Sequence, residues 1–87
     1  MSAAEKLLES MRLSKSGWKP QDFETLYVGF GFKMKQGGNH TTYIHRKYPH
    51  LIAQVARHTR LANAYARTAV ALIERLQSLE AEENNER

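Results

Sequence analysis

Cysteine is absent from the 87 residues. That removes disulfide frameworks and thiolate metal sites, and it makes a reducing cytoplasm the default compartment. No apolar run approaches the length of a membrane span, and the opening Met1-Ser2-Ala3-Ala4-Glu5-Lys6 lacks the apolar core of a secretory signal. A cytoplasmic location without membrane association is therefore the expectation. The most informative shortage is of acid. From Thr25 to Ile73 there is no Asp or Glu, although the same interval holds Lys33, Lys35, Arg46, Lys47, Arg57, Arg60, Arg67 and all four histidines. The carboxylates are confined to the ends, at Glu5, Glu9, Asp22 and Glu24 and then at Glu74, Glu80, Glu82, Glu83 and Glu86. A middle that is basic throughout is the electrostatic footprint of a polyanion, most often nucleic acid. A solvated basic surface that only keeps the protein dissolved is the alternative.

A chain of this length builds one domain around a modest core. Ala4, Leu7, Leu8 and Met11 recur at helical spacing, which predicts a first helix over Ala3 to Leu13, with Ser2 as N-cap and Glu5 three positions on. Ser14-Lys15-Ser16-Gly17 ends it, and Trp18 reads as a packing residue. Pro20 with Asp22 and Glu24 opens a second helix reaching about Val28, with Phe23, Leu26 and Tyr27 on its apolar stripe and Gly29 or Gly31 as its stop. Alternation in Phe32-Lys33-Met34-Lys35-Gln36 predicts a strand with both lysines outward. After the Gly37-Gly38 turn, Thr41 to Arg46 reads as a second strand, and Leu51 to Arg57 as a third with Leu51, Ala53 and Val55 on one face. Three strands joined by short turns make an antiparallel meander. The last helix begins at Ala64 behind Asn63. Its stripe is Tyr65, Ala69, Leu72, Leu76 and Leu79, widened by Ile73, and Glu80 to Arg87 forms a polar tail that frays. Leu76 and Leu79 lie past the reach of a short meander and have two destinations, the first helix or a second copy of the chain.

The chemistry centres on His40, which follows the glycine turn directly. An imidazole with a pKa near ~6.5 can take a proton from a ribose 2′-hydroxyl or give one to the leaving 5′-oxygen, and neighbouring cations can stabilise charge on the phosphate. Its direction is open. Regular pairing puts it on the face of Thr42 and Ile44, turned towards the helices, whereas a bulge at the glycines would re-aim it. A metal centre is not expected, since His40, His45, His50 and His58 lack helical metal-ligand spacing and have no acids among them. The same lack of a carboxylate argues against a Ser/His/Asp site. His50 reads as incidental.

In order, the chain carries Gly31-Phe32, Gly37-Gly38-Asn39-His40, Tyr43 with His45, Val55-Ala56-Arg57-His58 and the helix Tyr65-Ala66-Arg67-Thr68-Ala69. That series resembles the HicA family of toxin–antitoxin mRNA interferases, over roughly Trp18 to Leu76. Family members carry G-S-H or G-S-N-H at the turn. Here Gly38 stands in place of the serine, and Ala56 stands where a proline is common. The resemblance implies an α+β fold like a double-stranded-RNA-binding domain, with a three-stranded antiparallel sheet packed by helices in the order α-α-β-β-β-α. It divides the chain into a helical extension over 1–17, the nuclease domain over 18–79 and an acidic tail over 80–87. It further implies a ribonuclease that cleaves mRNA with no cofactor and no metal, through His40 as catalytic residue. A HicB-type antitoxin would hold it inactive. Lys33, Lys35, Arg46, Lys47, Arg57 and Arg60 would bind RNA phosphates, and Gly38 and Asn39 would present the turn to the RNA backbone. His58 would serve either at the phosphate or as a structural strand-end histidine, and Tyr43 either in the core or in base stacking. A non-catalytic RNA- or DNA-binding module on the same scaffold is the competing expectation.

Overall fold

A computed structural model describes residues 2–58 and 61–85. They form α1 (Ala3–Leu13), α2 (Pro20–Gly29), β1 (Phe32–Gln36), β2 (His40–His45), β3 (Ile52–Ala56) and α3 (Asn63–Asn85). The class is α+β, the order is the expected α-α-β-β-β-α, and the strands pair antiparallel in the order β1-β2-β3. Local chemistry sets the boundaries. The Ser2 hydroxyl accepts the Glu5 N–H at 3.1 Å while the Glu5 carboxylate accepts the Ser2 N–H at 2.9 Å, a reciprocal cap on α1. Hydrogen bonding of the Glu5 carboxylate to the Ser2 backbone N–H, and then to the Ser2 side chain, holds the Glu5 carboxyl below its ordinary pKa. At α2, Asp22 accepts the Lys19 N–H at 2.9 Å, and Pro20 takes the first helical position, where no N–H is needed.

Of the two glycines that could stop α2, Gly31 is the one that does. It adopts φ +94°, a conformation that side-chain-bearing residues rarely adopt. Gly29 has another purpose, since a Cβ there would lie 2.4 Å from the Ala4 Cβ. The absence of that atom lets α1 and α2 pack at close range.

One hydrophobic cluster joins Leu8 and Met11 of α1, Phe23, Leu26 and Tyr27 of α2, Phe32, Tyr43, Ala53 and Val55 of the sheet, and Ile73 and Leu76 of α3. The N-terminal helix is thus part of the same core as the sheet rather than an appendage to it. Tyr27 and Tyr43 stack with ring centroids 4.7 Å apart, and Phe32 meets Tyr27 edge-on at 5.0 Å. Trp18 packs against the cluster, as its position suggested, and donates its indole N–H to the Ser14 carbonyl at 2.9 Å.

The stripe on α3 is rotated from the expected one. Ala66, Ala69, Val70, Ile73 and Leu76 are buried, while Tyr65, Leu72 and Leu79 flank them half-covered. Small Ala66 and Ala69 let the helix backbone approach, so they, and not the larger side chains, mark its contact line. Leu76 is buried in the chain's own core. The helix also runs on through Asn85, past the Leu79 boundary read from the sequence.

Candidate nucleic-acid interface

Pleating decides which side chains are available. Register pairs Phe32 with His45, Met34 with Tyr43 and Gln36 with Thr41, and Thr41 and Tyr43 with Val55 and Ala53. This set carries the buried sheet residues Phe32, Thr41, Tyr43, His45, Ala53 and Val55 and faces the helices. The alternate set is Lys33, Lys35, His40, Thr42, Ile44, Ile52 and Gln54, and it is exposed or only partly covered. Ala56, at the end of β3, is the buried exception. His40 therefore does share a face with Thr42 and Ile44, with regular pairing and no bulge, but that face is turned away from the helices. The direction left open by the sequence is outward, and the link between regular pairing and an inward ring does not hold, because the buried side of β2 is the one carrying Tyr43, which stacks on Tyr27. Lys33 and Lys35 project outward with His40, as the alternation in β1 predicted. Lys35 pairs with Thr42, so it stands diagonal to His40, at a Cα separation of about 7–8 Å for such neighbours.

The turn beside His40 is held from two sides. Gly37 donates its N–H to the His40 carbonyl at 2.8 Å, closing the hairpin. Across the sheet end, Arg57 donates its backbone N–H to the Asn39 carbonyl at 3.1 Å and its Nη1 to the Gly37 carbonyl at 3.1 Å. Arg57 thus fixes the shape of the loop that presents His40. Gly37 also packs closely, since a Cβ there would come within 3.1 Å of the His40 carbonyl oxygen and that oxygen would have to give by a few tenths of an ångström. Gly38 has open space around it and a φ that any residue can adopt. Nothing in the backbone demands glycine where the HicA pattern has serine.

The remaining candidates separate into distinct places. Lys33, Lys35 and Arg46 line a shallow concavity of about 350 Å³ with Met34, Ile44 and Pro49. Lys47 follows Arg46 directly at the His45 end of the sheet but is not part of that lining; its ammonium lies on Glu83 of α3 at 2.5 Å and 5.8 Å from the Tyr48 ring centroid. There Tyr48 donates its hydroxyl to Glu83, a bond that raises its pKa to about 12, with burial and the charges of Glu83, Glu80 and Glu82 adding to it. The acidic end of α3 thereby offsets Lys47. Arg60 lies outside the described residues.

His45 is a structural group. It is 6% exposed, its Nε2 lies 3.1 Å from the Phe30 carbonyl, and its Nδ1 accepts the N–H groups of Lys47 at 3.1 Å and Tyr48 at 3.2 Å. Two donors at Nδ1 place the proton on Nε2, which donates to Phe30. Gly31 makes room for it, since a Cβ there would sit 3.0 Å from His45 Nε2. Gly31, Phe32 and His45 form one packing unit, in which the Phe32 and His45 rings meet edge-on at 5.0 Å. His50 contacts the Tyr48 ring from an exposed position. No group of three or more metal-ligating side chains occurs among the described residues.

A second concavity, of about 470 Å³, was not legible in the sequence. Lys19, Pro20, Gln21 and Glu24 of the α2 entrance meet Gln36, Thr41, Tyr43 and Val55 of the sheet, and Arg57 and His58 just beyond β3. It opens on the helix side of the sheet end that carries His40. Tyr43 forms part of its wall while its ring remains in the core, and burial followed by the charge of Glu24 raises its pKa to about 12. These residues come from separate segments and share no motif, so only the fold brings them together. In comparisons with known proteins, no family model matches the chain, and no curated protein or solved structure matches it.

Proposed function

We propose that this protein is an endoribonuclease of the HicA toxin type, acting on mRNA in the cytoplasm through His40 on a double-stranded-RNA-binding-domain-like scaffold. The observation that carries the reading is the placement of His40. It is exposed at the first residue of β2, beside a turn held in shape by Arg57, and on the same face as Lys33 and Lys35. The acid-free middle of the chain supplies the electrostatic setting.

His40 takes the proton of a ribose 2′-hydroxyl, the 2′-oxygen attacks phosphorus, and the bond to the 5′-oxygen breaks to leave a 2′,3′-cyclic phosphate. The imidazolium then returns its proton to the 5′-oxygen, so no proton is gained or lost. Lys35 is the nearest cation on that face to offset charge growing on the phosphate. A HicB-type antitoxin would silence the enzyme by covering this face. The reading is tested by incubating the purified chain with RNA in EDTA. Cleavage that His40→Ala lowers by about 10²–10⁴-fold, with the fold retained, supports it. Cleavage that His40→Ala leaves unchanged removes His40 from the reaction.

A non-catalytic RNA-binding module is the second reading. It is favoured by one observation, that the His40 side chain has no hydrogen-bond partner among the described residues to orient its ring. RNA binding that weakens steeply with salt, with no cleaved product, decides for it.

A further inference from the structure

We infer that the groove between the α2 entrance and the sheet end holds one unpaired guanine nucleotide of the RNA; this deepens the RNA reading and rests on it. The groove has the volume of a small-ligand site, about 470 Å³ against a usual ~300–1,000 Å³. Its wall contains two polar side chains largely removed from water. Thr41 is 8% exposed and Tyr43 2% exposed, and neither hydroxyl bonds to another described residue. No side-chain oxygen among the described residues is fully buried without a partner, so both hydroxyls reach the groove that their side chains line. Each hydroxyl is thus open to the groove with hydrogen-bonding capacity that no described residue uses, and a ligand seated there can replace the water that meets it.

The chemistry of the lining selects the occupant. Lys19 and Arg57 supply the cationic side of the groove, suited to a phosphate, with the His58 imidazole in the same lining. Arg57 spends Nη1 on the turn carbonyls and keeps further guanidinium N–H groups for that purpose. Pro20 gives the groove partly exposed apolar surface for a base, with the almost fully covered Val55 and Tyr43 side chains behind it. Glu24 is the carboxylate in the lining, it is exposed, and it forms no ion pair with a described residue.

A carboxylate accepts two parallel N–H donors, and among the four RNA bases guanine presents two side by side, at N1 and at the exocyclic N2. Adenine and cytosine place an amino group next to a ring acceptor, and uracil flanks its single N–H with carbonyls, so each sets at least one lone pair against the carboxylate. Gln21 and Gln36 can supply the amide donor that the guanine O6 requires. Thr41 follows His40 directly and projects to the opposite face of β2. RNA leaving the groove over the sheet end therefore passes His40, and the guanine would set where the chain is cut.

The test titrates the intact chain with the 5′-monophosphates of guanosine, adenosine, cytidine and uridine by calorimetry, beside a single-stranded RNA dodecamer. Guanosine monophosphate binding at least tenfold tighter than the other three is expected. Glu24→Gln should erase that discrimination, and Thr41→Val should weaken guanosine monophosphate by about tenfold, since hydrogen bonds of this kind are worth a factor of that order. If Thr41→Val disturbs the strand, Gln36→Ala at the exposed end of β1 takes its place. The inference is overturned if the dodecamer binds while guanosine monophosphate does not, or if guanosine monophosphate binds equally well to both variants. Mononucleotide binding with no binding of the dodecamer would leave the groove assignment standing and remove the RNA reading instead.

Discussion

The two ends of the sheet hold the same kinds of residue in opposite conditions. Each has a histidine on β2, a cation on the following segment and a tight turn. At the end of His45, the polar groups are paired within the protein. The imidazole bridges Phe30 to Lys47 and Tyr48, and Lys47 and Tyr48 both reach Glu83. At the end of His40, pairing stops at the backbone of the turn, and the side chains of His40, Thr41, Tyr43 and Glu24 bond to no other described residue. The two histidines are an odd number of residues apart on one strand, so pleating must send them to opposite faces. One end is built to hold the fold together, and the other leaves its chemistry facing outward.

The largest expected effect follows from breaking the closed end. His45→Ala strands the Phe30 carbonyl and two backbone N–H groups and leaves a cavity against Phe32, which should cost about 2–4 kcal/mol. His40→Ala removes an exposed ring and should change stability by no more than about 0.5 kcal/mol. Urea midpoints of the two variants check this directly. Equal losses would mean that the ends are not different in kind.

Much of this contrast could be read before the fold was known, but not its sense. The strands, the outward lysines of β1 and the glycine turn were legible because period-two alternation and turn glycines are local signals. The face that β2 buries was not, because Thr42 and Ile44 look as apolar as Tyr43 on their own. Tyr43 prevails only through its stack with Tyr27, a partner from another element. His45 likewise carried no mark of its role, since its partners are backbone groups at Phe30, Lys47 and Tyr48. The groove around Thr41 and Glu24 escaped for the same reason. The acid-free middle pointed to a basic surface in general, yet it counted Lys47 with Lys35. The carboxylate that separates them comes from Glu83, far along the chain.

That separation gives the next effect. Lys35→Gln removes a free charge beside His40, so it should weaken RNA binding several-fold and flatten the slope of log affinity against log salt by about 1. Lys47→Gln removes a charge that Glu83 already offsets, and the slope should stay where it is. Fluorescence anisotropy with a labelled RNA between low and moderate salt distinguishes them. An equal fall in both would place Lys47 back in the interface.

The smallest effect is one of pH, and it belongs to the closed end alone. Tyr48 donates its hydroxyl to the Glu83 carboxylate, so ionising it in the folded protein sets two negative charges together, and its pKa rises from 10.0 to about 12. A group whose pKa is higher folded than unfolded stabilises the fold fully below its unfolded value and loses that contribution as pH climbs through the folded one. The contribution of Tyr48 should therefore be complete below about pH 10 and gone above about pH 12. Tyr27 and Tyr43 are also raised, Tyr27 by burial and then Tyr43, and Tyr43 by burial and then Glu24, so the wild-type curve alone does not isolate Tyr48. The difference between wild type and Tyr48→Phe does, because the other tyrosines cancel in it. That difference in urea midpoint should narrow from pH 9.5 to about pH 12, and Glu83→Gln should weaken the narrowing. A difference that stays flat across the window would show that the bond between the sheet turn and α3 adds nothing to the fold, leaving His45 to hold that end by itself.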